Sequence, residues 1–257
     1  MPREADKLGP QQPGHENPTK ESKRHMSAPI FDPIAPTHIP IMGEKSTFAV
    51  ANVYGVTRNY DPDGTLRALP ERPAPAVFTK SPRWVVGSGA TIPYPAVTDR
   101  FEPEIELVIA VGKPVYRIGS EEAATAIYGY AVGLDLTRRD LQHAAREKHD
   151  PLDIAKWFPG ASPLSTIART ADINHPDQGA ITLDVNNVRV QEGDLDQLIW
   201  KPNEIVAMLS QFFPLMPGDI IFTGTPPGEV ALKPGDILHG KIDRVGVLDI
   251  TIEEAQQ

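Results

Sequence analysis

Cysteine is absent from the 257 residues. That excludes disulfides and thiolate metal sites, and it fits a reducing, cytoplasmic setting. Long apolar runs are absent as well. None approaches the roughly 20 residues that a membrane-spanning helix needs. The charged N-terminus has no apolar stretch behind it, so it does not read as a secretory signal. Positive charge is in deficit: Lys and Arg number 25 against 34 Asp and Glu, a formal net charge of -9. A general affinity for nucleic acid is therefore not expected. No histidine lies between His38 and His143. Proton transfer in that span would need another side chain.

What is plentiful is proline, with 27 residues, about twice its usual share. It points to a loop-rich β protein rather than a helical bundle. Residues 1–45 are polar and then proline-rich, with Gly9-Pro10-Gln11-Gln12-Pro13-Gly14 and Lys20-Glu21-Ser22-Lys23-Arg24. Nothing there repeats at 2 or 3.6, and a disordered tail is expected at least to Met26. Order is expected from near Phe48, giving one β-rich domain over about 46–257.

Within that domain Phe48 to Tyr54 reads as a strand. Ile105, Leu107, Ile109 and Val111 alternate with Glu104, Glu106, Val108 and Ala110, a strand with one apolar and one mixed face. Ser120, Glu121 and Glu122 open a helix expected to run to about Tyr128 and stop at Gly129. Ile181 to Val190 reads as a hairpin turning at Asn186-Asn187. Ile205, Met208, Leu209 and Phe212 place an amphipathic helix over residues 203–213. Many short strands with few helices make the class mixed β (α+β).

Four places carry possible chemistry. Glu104 and Glu106 share a strand face, with Cα atoms about 7 Å apart. They suit either a hard divalent cation or a plain exposed strand face. Asp135 follows the nearly apolar run Ile127 to Leu134. It reads as a partly buried acid needing a partner, or as the cap of the next helix. Lys156 lies between Ile154-Ala155 and Trp157-Phe158, which makes it a snorkelling side chain or one held for use. Thr223-Gly224-Thr225-Pro226-Pro227-Gly228 is a turn whose N–H and hydroxyl groups suit a carboxylate.

Taken together these segments resemble the fumarylacetoacetate hydrolase superfamily. Glu104-Ile105-Glu106-Leu107 is similar to its paired-glutamate strand. Gly129 to Asp135 with Arg139-Asp140-Leu141-Gln142 is similar to the stretch carrying its third carboxylate. Asp153-Ile154-Ala155-Lys156-Trp157-Phe158 resembles its lysine segment, and Phe222-Thr223-Gly224-Thr225-Pro226 its substrate loop. Residues 191–200 and Thr137-Arg138-Arg139-Asp140 resemble the fumarylpyruvate hydrolase branch. Order and spacing agree over about residues 75–250. The resemblance implies a β-sandwich roll and metal ligands Glu104, Glu106 and Asp135. It implies Gln142, Lys156, Gly224 and Thr225 at the substrate, with Lys156 catalytic. It further implies Mg2+, Mn2+ or Ca2+, a 2-oxo acid substrate and a homodimer.

Two departures bear on the reaction. Hydrolases of the family carry a His and a Glu on a short lid after an Asn-Tyr. Here Asn59-Tyr60 is followed by Asp61-Pro62-Asp63-Gly64-Thr65-Leu66-Arg67. Pro159 stands where the family has an Asp. Asp61, Asp63 and Glu71 are poor substitutes for a histidine base. His143, Glu147 and His149 read as a solvated face or as a replacement. The expected activity is metal-dependent C–C hydrolysis of an acylpyruvate. A 2-oxo acid decarboxylase or tautomerase, and a non-catalytic small-acid binder, are the alternatives.

Overall fold

In the computed structural model, which describes residues 30–32 and 34–254, the alternation around residue 107 becomes the strand Ile105–Val111, buried along its whole length. Ile105, Leu107, Ile109 and Val111 enter one apolar core, and Val108 and Ala110 enter a second. The face expected to be mixed is therefore covered too. Part of its cover is Ile39, Ile41, Phe48 and Val50. The strands His38–Pro40 and Thr47–Ala49 pair antiparallel there. Hydrogen bonds from Met42 N–H to the Ile167 carbonyl (2.9 Å) and from Ala51 N–H to the Gly218 carbonyl (2.8 Å) tie the segment down. Strand pairing thus begins at His38, ahead of the start expected near residue 46. The chain divides into Met1–Ala35 and Pro36–Gln257, because Ile39 and Ile41 bury apolar surface that a tail would leave wet. The expected disorder up to Met26 lies outside the described residues. In the first unit the described residues contain no helix or strand.

The second unit is built on two mixed sheets. The larger has eight strands. Ile105–Val111 sits in it between Ile127–Leu134 and Ile220–Phe222, antiparallel to both. Val53–Thr57 runs parallel to Ile220–Phe222, and Ala76–Lys80 closes that side. The smaller sheet has five strands, in the order Val188–Asp194, Ala180–Val185, Ile237–Ile242, Gly246–Glu253 and Thr91–Pro93. Ile181, Leu183, Leu238, Leu248 and Ile250 share the first core with Ile105, Leu107 and Val132. That is the sandwich the resemblance implied. No helix among the described residues is long and apolar enough to cross a membrane.

Local chemistry accounts for most elements. Asn186 and Asn187, with φ of 52° and 64°, make the left-handed two-residue turn that a right-twisted hairpin requires. The helix Pro202–Ser210 begins with proline in its first turn and points Ile205, Val206 and Leu209 inward. Two expectations change. Residues 48–54 form parts of two strands, Thr47–Ala49 and Val53–Thr57. The helix Ser120–Ala126 stops early, because Ile127 and Tyr128 join the strand Ile127–Leu134 and Gly129 pairs with Arg169 inside the sheet.

Candidate active site

Glu104 ends the approach to the central strand, and Glu106 lies within it. The strand Ile127–Leu134 delivers Asp135 alongside, where the Asp135 N–H donates to the Glu104 carbonyl (2.8 Å). One carboxylate oxygen from each of Glu104, Glu106 and Asp135 lies within 4.8 Å of the others. The capping alternative for Asp135 is excluded, since the helix Arg139–Lys148 has Arg138 at its cap position.

Cations hold two of these acids. Lys156 Nζ lies 2.5 Å from Asp135 Oδ2, 2.9 Å from Glu104 Oε2 and 2.6 Å from Thr137 Oγ1. Lys80 Nζ lies 2.5 Å from Asp135 Oδ1. Arg139 donates to Glu104 Oε1 (2.7 Å) and to Glu102 Oε2 (2.5 Å). Burial alone would raise the Glu104 carboxyl, but Lys156 and Arg139 outweigh it and hold it at about 2. Among the described residues Glu106 has no such partner within ion-pair distance. Burial, then the charges of Asp135 and Glu104, push its carboxyl well above the usual range, although Gly224 N–H donates to it (2.6 Å). Burial pulls the Lys80 ammonium down, whereas Asp135 and Glu104 outweigh burial and raise Lys156.

These groups face a cavity of about 270 Å³ whose wall includes Glu104, Glu106, Asp135, Gln142, Lys156 and Thr225. Gln142 Oε1 accepts from Arg139 Nη1 (2.6 Å), which leaves the amide NH2 to donate elsewhere. Thr225 Oγ1 accepts from Gln191 Nε2 (2.9 Å), so its own O–H is free to donate. Gly224 also lines the cavity, but its N–H is committed to Glu106 rather than directed at a ligand. Its φ of 97° is a conformation that few side chains tolerate. Tyr60 lines the same cavity, and its buried hydroxyl has no hydrogen-bond partner among the described residues.

The family model for the fumarylacetoacetate (FAA) hydrolase C-terminal region matches residues 52–253. The chain belongs to the fumarylacetoacetate hydrolase family. Fumarylpyruvate hydrolase from a Ralstonia species is 44% identical over 179 residues, covering 70% of this chain and 93% of that protein. A mitochondrial oxaloacetate tautomerase from Caenorhabditis elegans is 31% identical over 187 residues, 72% of this chain and 86% of that protein. Among solved structures, fumarylpyruvate hydrolase from Pseudomonas aeruginosa, in complex with Mn2+ and pyruvate, superposes with a TM-score of 0.83. It shares 40% identity, and the match covers 88% of this chain and all of that one.

Several members of the site carried no clear signal in the sequence. Lys80 ends the strand Ala76–Lys80, and its immediate neighbours Thr79 and Ser81 are polar, unlike the apolar residues beside Lys156. Arg139 stands three residues before Gln142, the spacing that makes helix neighbours. Gln191 is buried and ties Thr225 and the Pro226 carbonyl (2.9 Å) to the Ile105 N–H (2.9 Å). The residues that follow Asn59-Tyr60 form successive turns without a helix. Asp61 is buried and accepts from the Arg67 N–H at 2.8 Å. Arg72 pairs with Glu204 at 2.7 Å. None of Asp61, Asp63, Glu71, His143 and Glu147 lines the cavity, and His149 borders only an adjoining space.

Proposed function

We propose that this family member is a divalent-metal-dependent hydrolase cleaving a C–C bond in an acylpyruvate, a fumarylpyruvate-like 2,4-dioxo acid. The observation that carries the reading is the convergence of three carboxylates and Lys156 in one cavity, in a chain 44% identical to a fumarylpyruvate hydrolase. The donor set suits a hard cation, being all oxygen and largely buried, and among the described residues no cation lies within ion-pair distance of Glu106. Glu104, Glu106 and Asp135 would hold the ion. Mg2+ and Mn2+ both suit these donors, and the Pseudomonas relative was solved with Mn2+. When bound there, a divalent ion supplies Lewis-acid polarisation of a 2-oxo acid.

The protein's own groups do the rest. Thr225 O–H and the Gln142 amide donate to the substrate carboxylate. Lys156, kept protonated by its acids, meets the negative charge that develops as the substrate enolises. Water adds to the distal carbonyl, the C–C bond breaks, and the pyruvate enolate takes up a proton at carbon. A homodimer is the proposed assembly, and light scattering should then return about twice 28.1 kDa.

One observation favours a second reading, keto–enol tautomerisation of a 2-oxo diacid. Among the described residues no histidine lines the cavity, and tautomerisation needs no activated water. An assay with Mg2+ or Mn2+ on acylpyruvates and oxaloacetate separates the two. Two acid products from an acylpyruvate support hydrolysis, and enol decay without cleavage supports tautomerisation. No turnover of either rejects both. Calorimetry checks the ion site. Glu106→Gln should weaken Mn2+ binding by at least roughly tenfold, about 1.4 kcal/mol, and unchanged binding removes the assignment.

A further inference from the structure

Two guanidinium groups at the cavity are not used by the chemistry above. Arg58 and Arg146 line it together with Lys156 and Thr225. Both also border an adjoining space of about 470 Å³. Arg67, Arg72, Arg100, Arg139, Arg169 and Arg189 each pair with an acid. Among the described ion pairs, Arg58 and Arg146 have none. Glu229, also on the cavity wall, is taken by Arg100 at 3.0 Å. Asp150 borders the adjoining space and pairs with neither.

The backbone holds both arginines in place. Arg58 adopts φ 59°, a conformation that costs a long side chain about 1 kcal/mol or more and persists only where neighbours impose it. Asn59 imposes it. Its side chain donates to the carbonyls of Thr223 (2.8 Å) and Trp200 (3.0 Å) and accepts from the Trp200 N–H (2.8 Å). Arg146 stands seven residues beyond Arg139 on the helix Arg139–Lys148, so Arg139, Gln142 and Arg146 present one face. Burial, then the like charges of Arg139 and Arg58, lower the Arg146 guanidinium, with Glu104 opposing them. Two cations that line a cavity and pair with no acid among the described residues suit an anionic ligand.

We propose that Arg58 and Arg146 form a distal anion subsite that selects dicarboxylates, 2-oxo acids whose far end carries a second carboxylate. The first carboxylate would occupy the Thr225–Gln142 end, so the inference rests on the 2-oxo acid reading above. The test is calorimetric and needs no turnover. In Mn2+, the probes are 2-oxoadipate and 2-oxohexanoate, which have equal chain length and differ only in the terminal carboxylate. The wild type should prefer the diacid by at least roughly thirtyfold. Arg58→Gln and Arg146→Gln should each cut that ratio by about tenfold, as expected for a lost charge-assisted hydrogen bond. Arg146 is exposed on its helix, so its variant tests the idea without a folding risk. Equal affinity in the wild type, or a ratio that survives both substitutions, would overturn the subsite. Binding of neither probe would overturn both readings. Loss of hydrolysis alone, with the ratio behaving as stated, would sink only the reaction proposed above.

Discussion

At the scale of single residues, the site is a balance of buried charges. Lys156 and Lys80 share Asp135, and Arg139 shares Glu104 with Lys156. Removing Lys156 therefore leaves each acid one cation. Lys156→Met should fold, with circular dichroism unchanged, and should lose at least about 10²-fold in turnover, the loss expected when a charge-stabilising group goes. Wild-type rates in the folded variant would end its catalytic role. Tyr60→Phe should behave differently. It removes a buried hydroxyl that has no partner among the described residues, so melting temperature should hold or rise. If that hydroxyl serves the substrate, kcat/KM should still fall by about tenfold, and an unchanged value would make Tyr60 mere packing. Lys156, Glu104 and Glu106 were legible in the sequence because apolar neighbours or same-face spacing set them apart. Lys80 and Gln191 were not. Each contacts a residue far along the chain, such as Asp135 and Thr225, and local pattern carries no trace of such partners.

At the scale of elements, the segment across the outer face of the large sheet matters most. Ile39 is fully buried there, in a three-residue strand flanked by proline and polar residues. Period-2 alternation cannot be recognised over so short a span, and that is why residues 38–45 were read as tail. The hairpin at Asn186-Asn187 was legible because its turn chemistry is local. The helix after Ser120 was legible at its start but not at its end, where sheet pairing overrode helical continuation. Ile39→Ala should cost roughly 2–5 kcal/mol, each kcal/mol lowering the melting temperature by about 2–4 °C for a domain of this size. A melting curve that superposes on the wild type would show that the segment only decorates the sheet. Deletion of residues 1–26 should leave both melting temperature and activity unchanged, because their composition offers little apolar surface to bury.

At the scale of the whole molecule, the site draws on segments spread from Val56 to Glu229. The Gly224 N–H reaches Glu106 across 118 positions, and Asn59 reaches Thr223 across 164. The family pattern made the order of these segments readable, while their mutual contacts had to come from the fold. Such long closures have a kinetic consequence. Distant pairings form only after most of the chain's loop entropy has been lost, which slows folding and places the last contacts late. Activity should therefore return on dilution from denaturant no earlier than the slowest phase of tryptophan fluorescence, with no partly active species ahead of it. A burst of activity before that phase would mean that the cavity can assemble without its surrounding sheets.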